Sequence, residues 1–339
     1  EIGTGDWSSD VCSSDLVHMT NAIEVNELTK FYKDFLAVDH INFKVKQGEI
    51  FGFLGPNGAG KSTTIRMLTG ISLPSSGSAN ILGYDIVRQP VNAQSLMGIV
   101  PDISNIYTEL TAWQNLDFTG KLYGIPKSTR ERKSREILER FELYERKDEK
   151  VIGYSRGMRR KVCIAMALVN DSKILYLDEP TSGLDVKSVR SIRNLIRELN
   201  EEGLTVFLTT HNLVEANQMC DRIAVINRGK IAAIDTPQKL KSAMKRSQSV
   251  ELSLLNDTGS MDRFEGISGV LSIQKRGDKI RLVTSSPGQT LKELCMLVKT
   301  EDLNISSLNT LEPSLEDAFL ELTGMEMKKE VVKMGKGRR

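Results

Sequence analysis

"GPNGAGKST" occupies Gly55 to Thr63, between the apolar run "EIFGFLG" and "KSTTIRMLTGI", where Ile65 and Leu68 are spaced to share one helix face. The residues Gly55, Pro56, Asn57, Gly58, Ala59, Gly60, Lys61, Ser62 and Thr63 fit G-x-x-x-x-G-K-[ST], and the strand before and helix after are the context that motif requires. Gly58 and Gly60 let the backbone turn its N–H groups toward phosphate oxygens. Lys61 supplies a point charge for β- and γ-phosphates. The Ser62 hydroxyl can bind Mg²⁺, and the helix N-terminus favours anions. The stretch therefore predicts a nucleotide-phosphate site in an α/β fold.

The complementary acids stand in "ILYLDEP". Asp178 at the end of that apolar strand can hold Mg²⁺, directly or through water, and Glu179 can orient or deprotonate an attacking water. Two adjacent carboxylates at a buried strand end are costly without a cation, so their presence is informative. His211 closes a further apolar strand, "VFLTTH", whose end falls at the same crevice, which points to a γ-phosphate contact. His40, in "VDHINF", reads as a surface residue. "GYSRGMRRK" (Gly153 to Lys161) precedes the helix "VCIAMALVN": Ser155 is a plausible N-cap and Gly157 permits close backbone approach. This second anion-directed helix start suggests a composite site. Arg156, Arg159, Arg160 and Lys161, taken alone, read as a solvated basic patch.

Apolar strands alternate with helices up to about Asp235, which indicates a mainly parallel core. Thr111 to about Val169 is helical, and its charged stretch "STRERKSREILERFELYERKDEK" reads as a solvated helix face. From about Ser247 the order becomes β-α-β-β-α-β, that of a ferredoxin-like unit. The leader "EIGTGDWSSDVCSSDLVH" lacks periodicity and the marks of a signal peptide; it reads as a translated adapter ahead of a start at Met19, or else as a natural disordered N-terminus. The expected organisation is a leader over 1–18, a nucleotide-binding α/β domain over 19–246 with a helical subdomain at about 103–169, a small α+β domain over 247–325, and a basic disordered tail over 326–339. A net charge of +2 does not point to nucleic acid. Cys12, Cys163, Cys220 and Cys295 lack CxxC spacing, which argues against a disulfide scaffold or zinc site. No apolar run approaches the ~18 residues needed to span a bilayer, so any membrane part comes from a partner.

Taken together, "GPNGAGKST", "YSRGM", "ILYLDEP", "SGLD" and "TTH" occur in the order of an ABC transporter ATP-binding subunit, and the resemblance covers about Ile23 to Lys239. Residues 250 to 324 resemble the C-terminal extension found in the drug, antibiotic and ion export branch. The resemblance implies a P-loop ATPase with parallel core sheet, antiparallel β subdomain and helical subdomain. It implies a head-to-tail dimer, expected to be a homodimer, with each ATP between the phosphate loop of one subunit and Ser155 and Gly157 of the other. It places Tyr32 of "LTKFY" on adenine and makes Asp185 of "SGLD" a link between the two sites. The partner is a transmembrane permease on a separate chain, and the ATPase lies peripherally on the cytoplasmic membrane face; nucleic acid is not expected.

Two departures stand out. The five-residue signature usually reads L-S-G-G-Q, and here Tyr154, Arg156 and Met158 replace its first, third and fifth residues. In "GIVPD", Asp102 takes the place of a glutamine that usually contacts Mg²⁺ or the attacking water; it keeps a side-chain oxygen but loses the amide donor. The competing readings are an ABC-type ATPase acting on ribosomes or DNA, whose doubled cassettes or inserted coiled coil are not found here, and a P-loop kinase or GTPase, against which the signature and His211 argue.

Overall fold

The structure is a computed structural model that describes residues 21–103, 105–242, 248–255, 261–311 and 314–323. The leader, the start at Met19 and the basic tail lie outside the described residues. The chain divides into two compact units between Ile231 and Ala232.

The first unit opens with β1 (Asn21–Tyr32), β2 (Phe35–Lys46), β3 (Ile50–Leu54), α1 (Lys61–Leu68), β4 (Ser76–Ile81), β5 (Tyr84–Asp85), α2 (Pro90–Ser95) and β6 (Met97–Val100). Three helices follow: α3 (Ala112–Leu122), α4 (Lys127–Arg140) and α5 (Arg156–Leu168). The chain then returns to β7 (Ile174–Asp178), α6 (Val186–Glu201), β8 (Thr205–Thr210), α7 (Leu213–Met219), β9 (Arg222–Asn227) and β10 (Lys230–Asp235), the strand within which the division falls.

Burial follows the sequence pattern. β3 and β8 are buried at every residue, as expected of central strands covered on both faces. The second half of β2 alternates buried and exposed residues and lies in an antiparallel sheet of order β2-β1-β4-β5. The central sheet has the order β10-β9-β3-β8-β7-β6, and β3 pairs in parallel with both β8 and β9, as β7 does with β8 and β6. Phe43, Phe51, Phe53 and Phe207 pack as a ring cluster, with Phe51 and Phe207 stacked at 5.8 Å. α6 buries Ile192, Leu195, Ile196 and Leu199, one stripe at helical spacing, and turns its charged side away. The parallel order brings the carboxyl ends of β3, β7 and β8 side by side, so the phosphate loop, the paired acids and His211 meet at one edge.

The second unit contains α8 (Pro237–Ser242), β11 (Gln248–Leu254), β12 (Val270–Arg276), β13 (Lys279–Thr284), α9 (Pro287–Thr300), β14 (Ile305–Leu311) and α10 (Leu315–Thr323). Its antiparallel sheet has the order β12-β13-β11-β14, that of a split βαβ unit, with a 3-10 turn at Met261–Phe264 where such a unit carries its first helix. Val250, Leu252, Phe264, Ile280, Leu282 and Leu294 form its core. α8, which the change of sequence texture left with the ATPase domain, packs against α10 of this unit.

Candidate active site

The loop from Gly55 to Gly60 is shaped by what a side chain would strike. A Cβ on Gly55 would sit 2.5 Å from the Ile226 carbonyl oxygen, and one on Gly60, whose φ is +109°, would sit 2.8 Å from that of Ala37. Glycine is therefore required at both by close backbone approach. α1 begins at Lys61 with no side-chain cap, so N–H groups of its first turn remain available for an anion. The Lys61 side chain is only 7% exposed. Its Nζ donates to the carbonyls of Gly55 (2.7 Å) and Pro56 (3.2 Å) and lies 3.6 Å from Glu179 Oε1. Burial lowers its pKa, and the charges of Glu179 and Asp178 oppose that shift.

Asp178 and Thr209 are directly paired across β7 and β8, and the Thr209 hydroxyl donates to Asp178 Oδ1. Glu179 follows with φ at +48°, a left-handed conformation that costs an L residue roughly 1–2 kcal/mol. Its N–H donates to the Thr209 carbonyl at 3.1 Å, and its Oε1 meets His211 Nδ1 at 2.9 Å. Lys61, Glu179 and His211 thus form one chain of contacts.

A cleft of about 320 Å³ gathers Tyr32, Asn57, Gly58, Gly60, Lys61, Ser62, Thr63, Asp102, Asp178 and Glu179, along with Phe35 and Ala37. Tyr32 and Phe35 pair across the β1–β2 hairpin and are 42% and 64% exposed, so two open rings stand beside the phosphate loop. Phe35 escaped sequence reasoning, although a second aromatic three residues from Tyr32 across a tight turn was a usable signal. Ser62 and Asp178 offer the hard oxygens that suit Mg²⁺. Among the described residues no cluster of three or more His, Cys, Asp or Glu could hold a metal alone. A cation here would take its other oxygens from phosphate and water. A cleft of equal volume elsewhere, lined by Lys133, Arg140, Asp171 and Glu202, contains none of the motif residues.

Ser155, Gly157 and Asp185 are not among the residues that line the cleft. Ser155 caps α5, its Oγ accepting from the Met158 N–H at 3.2 Å, and Asp185 caps α6, accepting from the Ser188 N–H at 2.9 Å. The space beside Gly157 is filled from within the chain: a Cβ there would lie 2.3 Å from Ser188 Oγ and 2.7 Å from Ser188 Cβ. Ser188 in turn donates to Asp185 Oδ2 at 2.7 Å, and Arg156 Nη1 donates to the Gly183 carbonyl at 3.3 Å. The two helix starts are therefore knotted together. Rotating Ser188 clears its Oγ but not its Cβ, so Gly157→Ala is expected to destabilise the fold by about 1–3 kcal/mol. Urea denaturation measures this, and an unchanged midpoint would mean that α6 yields freely.

Of the basic run in this segment, Arg156 is exposed as expected, but Arg159, Arg160 and Lys161 are not a solvated patch. Arg160 is 8% exposed and donates to the carbonyls of Pro101 (2.8 Å), Asp102 (3.2 Å) and Glu179 (3.3 Å). Arg159 reaches the Ile152 carbonyl, and Lys161 that of Phe141. His40, as expected, is largely exposed and contacts Asp39.

A phosphate loop, paired acids, a strand-end histidine and a second capped helix start outside the cleft recur in known proteins. The family model described as "ABC transporter" matches residues 38–182, and that of the "ATP-binding protein DrrA1-3-like, C-terminal domain" matches 236–323. The chain is 34% identical over 314 residues to the linearmycin resistance ATP-binding protein LnrL of Bacillus subtilis, covering 90% of this chain and 99% of that one. The chain belongs to the ABC transporter ATP-binding family. It is also 36% identical over 310 residues to the daunorubicin/doxorubicin resistance ATP-binding protein DrrA of Streptomyces peucetius, covering 90% of this chain and 93% of that one. Among solved structures, the dimeric post-hydrolysis state of the ATP-binding cassette MJ0796 bound to ADP and Pi superimposes with a TM-score of 0.58 at 27% identity, over 63% of this chain and 98% of that one. This ABC subunit is accordingly an ATP-binding ATPase of a fold that works as a dimer with membrane permease subunits. Among its described residues no helix is long and apolar enough to cross a membrane.

Proposed function

We propose that two copies of this ABC subunit close head to tail around two ATP molecules and drive export through a permease on separate chains at the cytoplasmic membrane face. The observation that carries the composite site is the position of Ser155: it caps a helix start, is exposed, and does not line its own chain's cleft. An anion-directed helix start of this kind is completed by a phosphate held in a second copy. The dimeric state of the MJ0796 cassette bound to ADP and Pi supports the pairing of two copies. The resistance names of LnrL and DrrA favour export.

In this reading Tyr32 stacks on the adenine, and Gly55 to Thr63 with Lys61 hold the phosphates. Ser62 and Asp178 would hold Mg²⁺, and Asp102, which lines the same cleft, would reach it through water; when bound, the ion would offset negative charge on the β- and γ-phosphates. The Glu179 carboxylate takes a proton from the attacking water while the water oxygen bonds to γ-phosphorus and the bond to ADP breaks. His211, held by Glu179, contacts the γ-phosphate. Asp185 and the Gly183 turn lie beside the α5 start and carry its position to the facing site. Beyond Asp102, Ile103 (85% exposed), Leu122 (72%), Tyr107 and Phe118 present apolar surface for the permease.

Asp102→Ala is expected to lower ATP turnover about fivefold and raise the Mg²⁺ concentration required, the scale of one lost hydrogen bond of about 1 kcal/mol. Mg²⁺ titrations of ATPase activity check it; unchanged curves would make Asp102 only a loop residue. Affinity purification from native membranes tests the wider reading. Recovery with a polytopic permease is expected, whereas recovery with ribosomes or DNA would overturn it.

A further inference from the structure

The Arg160 guanidinium is buried, and among the described residues it meets no carboxylate; its acceptors there are the three carbonyls of Pro101, Asp102 and Glu179. A buried cation is held only where its donors are satisfied, and the planar fork of arginine can serve several acceptors at once. Those acceptors belong to two different strand ends. Pro101 and Asp102 leave β6 toward the helical segment, and Glu179 follows β7. Arg160 itself lies in α5, which is capped by Ser155 and carries Gly157 in its first turn. One side chain therefore joins the helix start that addresses a second copy, the loop bearing Asp102, and the peptide of the water-activating glutamate.

The Glu179 peptide makes this junction consequential. Its φ of +48° is a conformation that neighbours must hold. The N–H side is fixed by the Thr209 carbonyl at 3.1 Å, and the carbonyl accepts from the Ser182 N–H at 3.2 Å and from Arg160 at 3.3 Å. Of these three supports, only Arg160 belongs to α5. We propose that Arg160 is a positioning residue that makes the placement of Glu179 and of the Asp102 loop depend on the position of α5, so that water attack is geared to engagement of the facing subunit. The inference rests on the assignment of Glu179 as the group that activates water.

The test compares the full chain with Arg160→Gln and Arg160→Lys, and uses Glu179→Gln as a reference. Steady-state ATPase activity gives kcat and KM, a fluorescent ATP analogue gives nucleotide affinity, and thermal melting checks folding. Arg160→Gln is expected to lower kcat at least tenfold with affinity for the analogue within twofold of wild type. Arg160→Lys keeps the charge and one or two of the carbonyl bonds, and should recover part of that loss. If both variants fold and keep wild-type kcat, or if affinity falls in step with kcat, Arg160 merely packs the subunit and the inference is overturned. Should Arg160→Gln fail to fold, Arg160→Lys decides by the same two readouts. Loss of turnover in Glu179→Gln beside wild-type kcat in the Arg160 variants would overturn this inference alone. Normal turnover in Glu179→Gln would overturn the reading beneath it.

Discussion

Glu179→Gln lowers ATP turnover by a factor of about 10² to 10⁴, the range supplied by a positioned general base, while nucleotide affinity does not fall. The amide has the shape of the carboxylate and can still meet His211, whose Nδ1 is 2.9 Å away. It cannot accept the water proton. Removing a negative charge near the γ-phosphate also relieves repulsion, so the sign of any change in affinity is toward tighter binding. Phosphate-release assays and titration with a fluorescent ATP analogue separate the two effects. Turnover at the wild-type rate would remove Glu179 from the chemistry and leave its left-handed backbone without a functional account.

Lys61→Ala acts on the opposite quantity. Loss of a charge-assisted contact of about 1.5–3 kcal/mol corresponds to roughly a 10- to 150-fold weaker Kd for ATP. The loop suffers as well, since Lys61 Nζ bonds the carbonyls of Gly55 and Pro56. The same residue sets a pH dependence. Its pKa lies below the ordinary value of 10.5 because burial penalises the ammonium. Phosphate binds the charged form, so ATP affinity should decline as pH rises through that lowered pKa, earlier on the alkaline side than an exposed lysine would allow. Calorimetric titration across alkaline pH checks the direction. A Lys61→Ala variant that binds ATP as tightly as wild type would show that backbone N–H groups alone hold the phosphates.

The residues that were legible in the sequence are those whose chemistry is local. Gly55 to Thr63 announce a loop because glycine spacing, a lysine and a hydroxyl fall in a fixed order between strand and helix. Asp178 and Glu179 stand out because carboxylates are rare at the end of an apolar strand. The parallel core followed from apolar runs alternating with helices. Arg160, Thr209, Phe35 and Ser188 were not legible, since each takes its meaning from something distant in sequence. Arg160 looked like one of four exposed bases until α5 was laid against the ends of β6 and β7. Thr209 needed the register of β8 on β7. Gly157 was legible as a close approach, but the nearest neighbour is Ser188 of the same chain. Asp102 lines the cleft, and Arg160 bonds its backbone carbonyl there.

The arrangement of two copies around ATP is tested most directly by light scattering on the full chain carrying Glu179→Gln, with saturating ATP and Mg²⁺. The expected result is a doubling of mass that requires ATP, is absent with ADP, and is abolished when Ser155→Arg is added to block the α5 helix start. A chain that is saturated with ATP yet keeps the mass of a single copy would contradict the composite site.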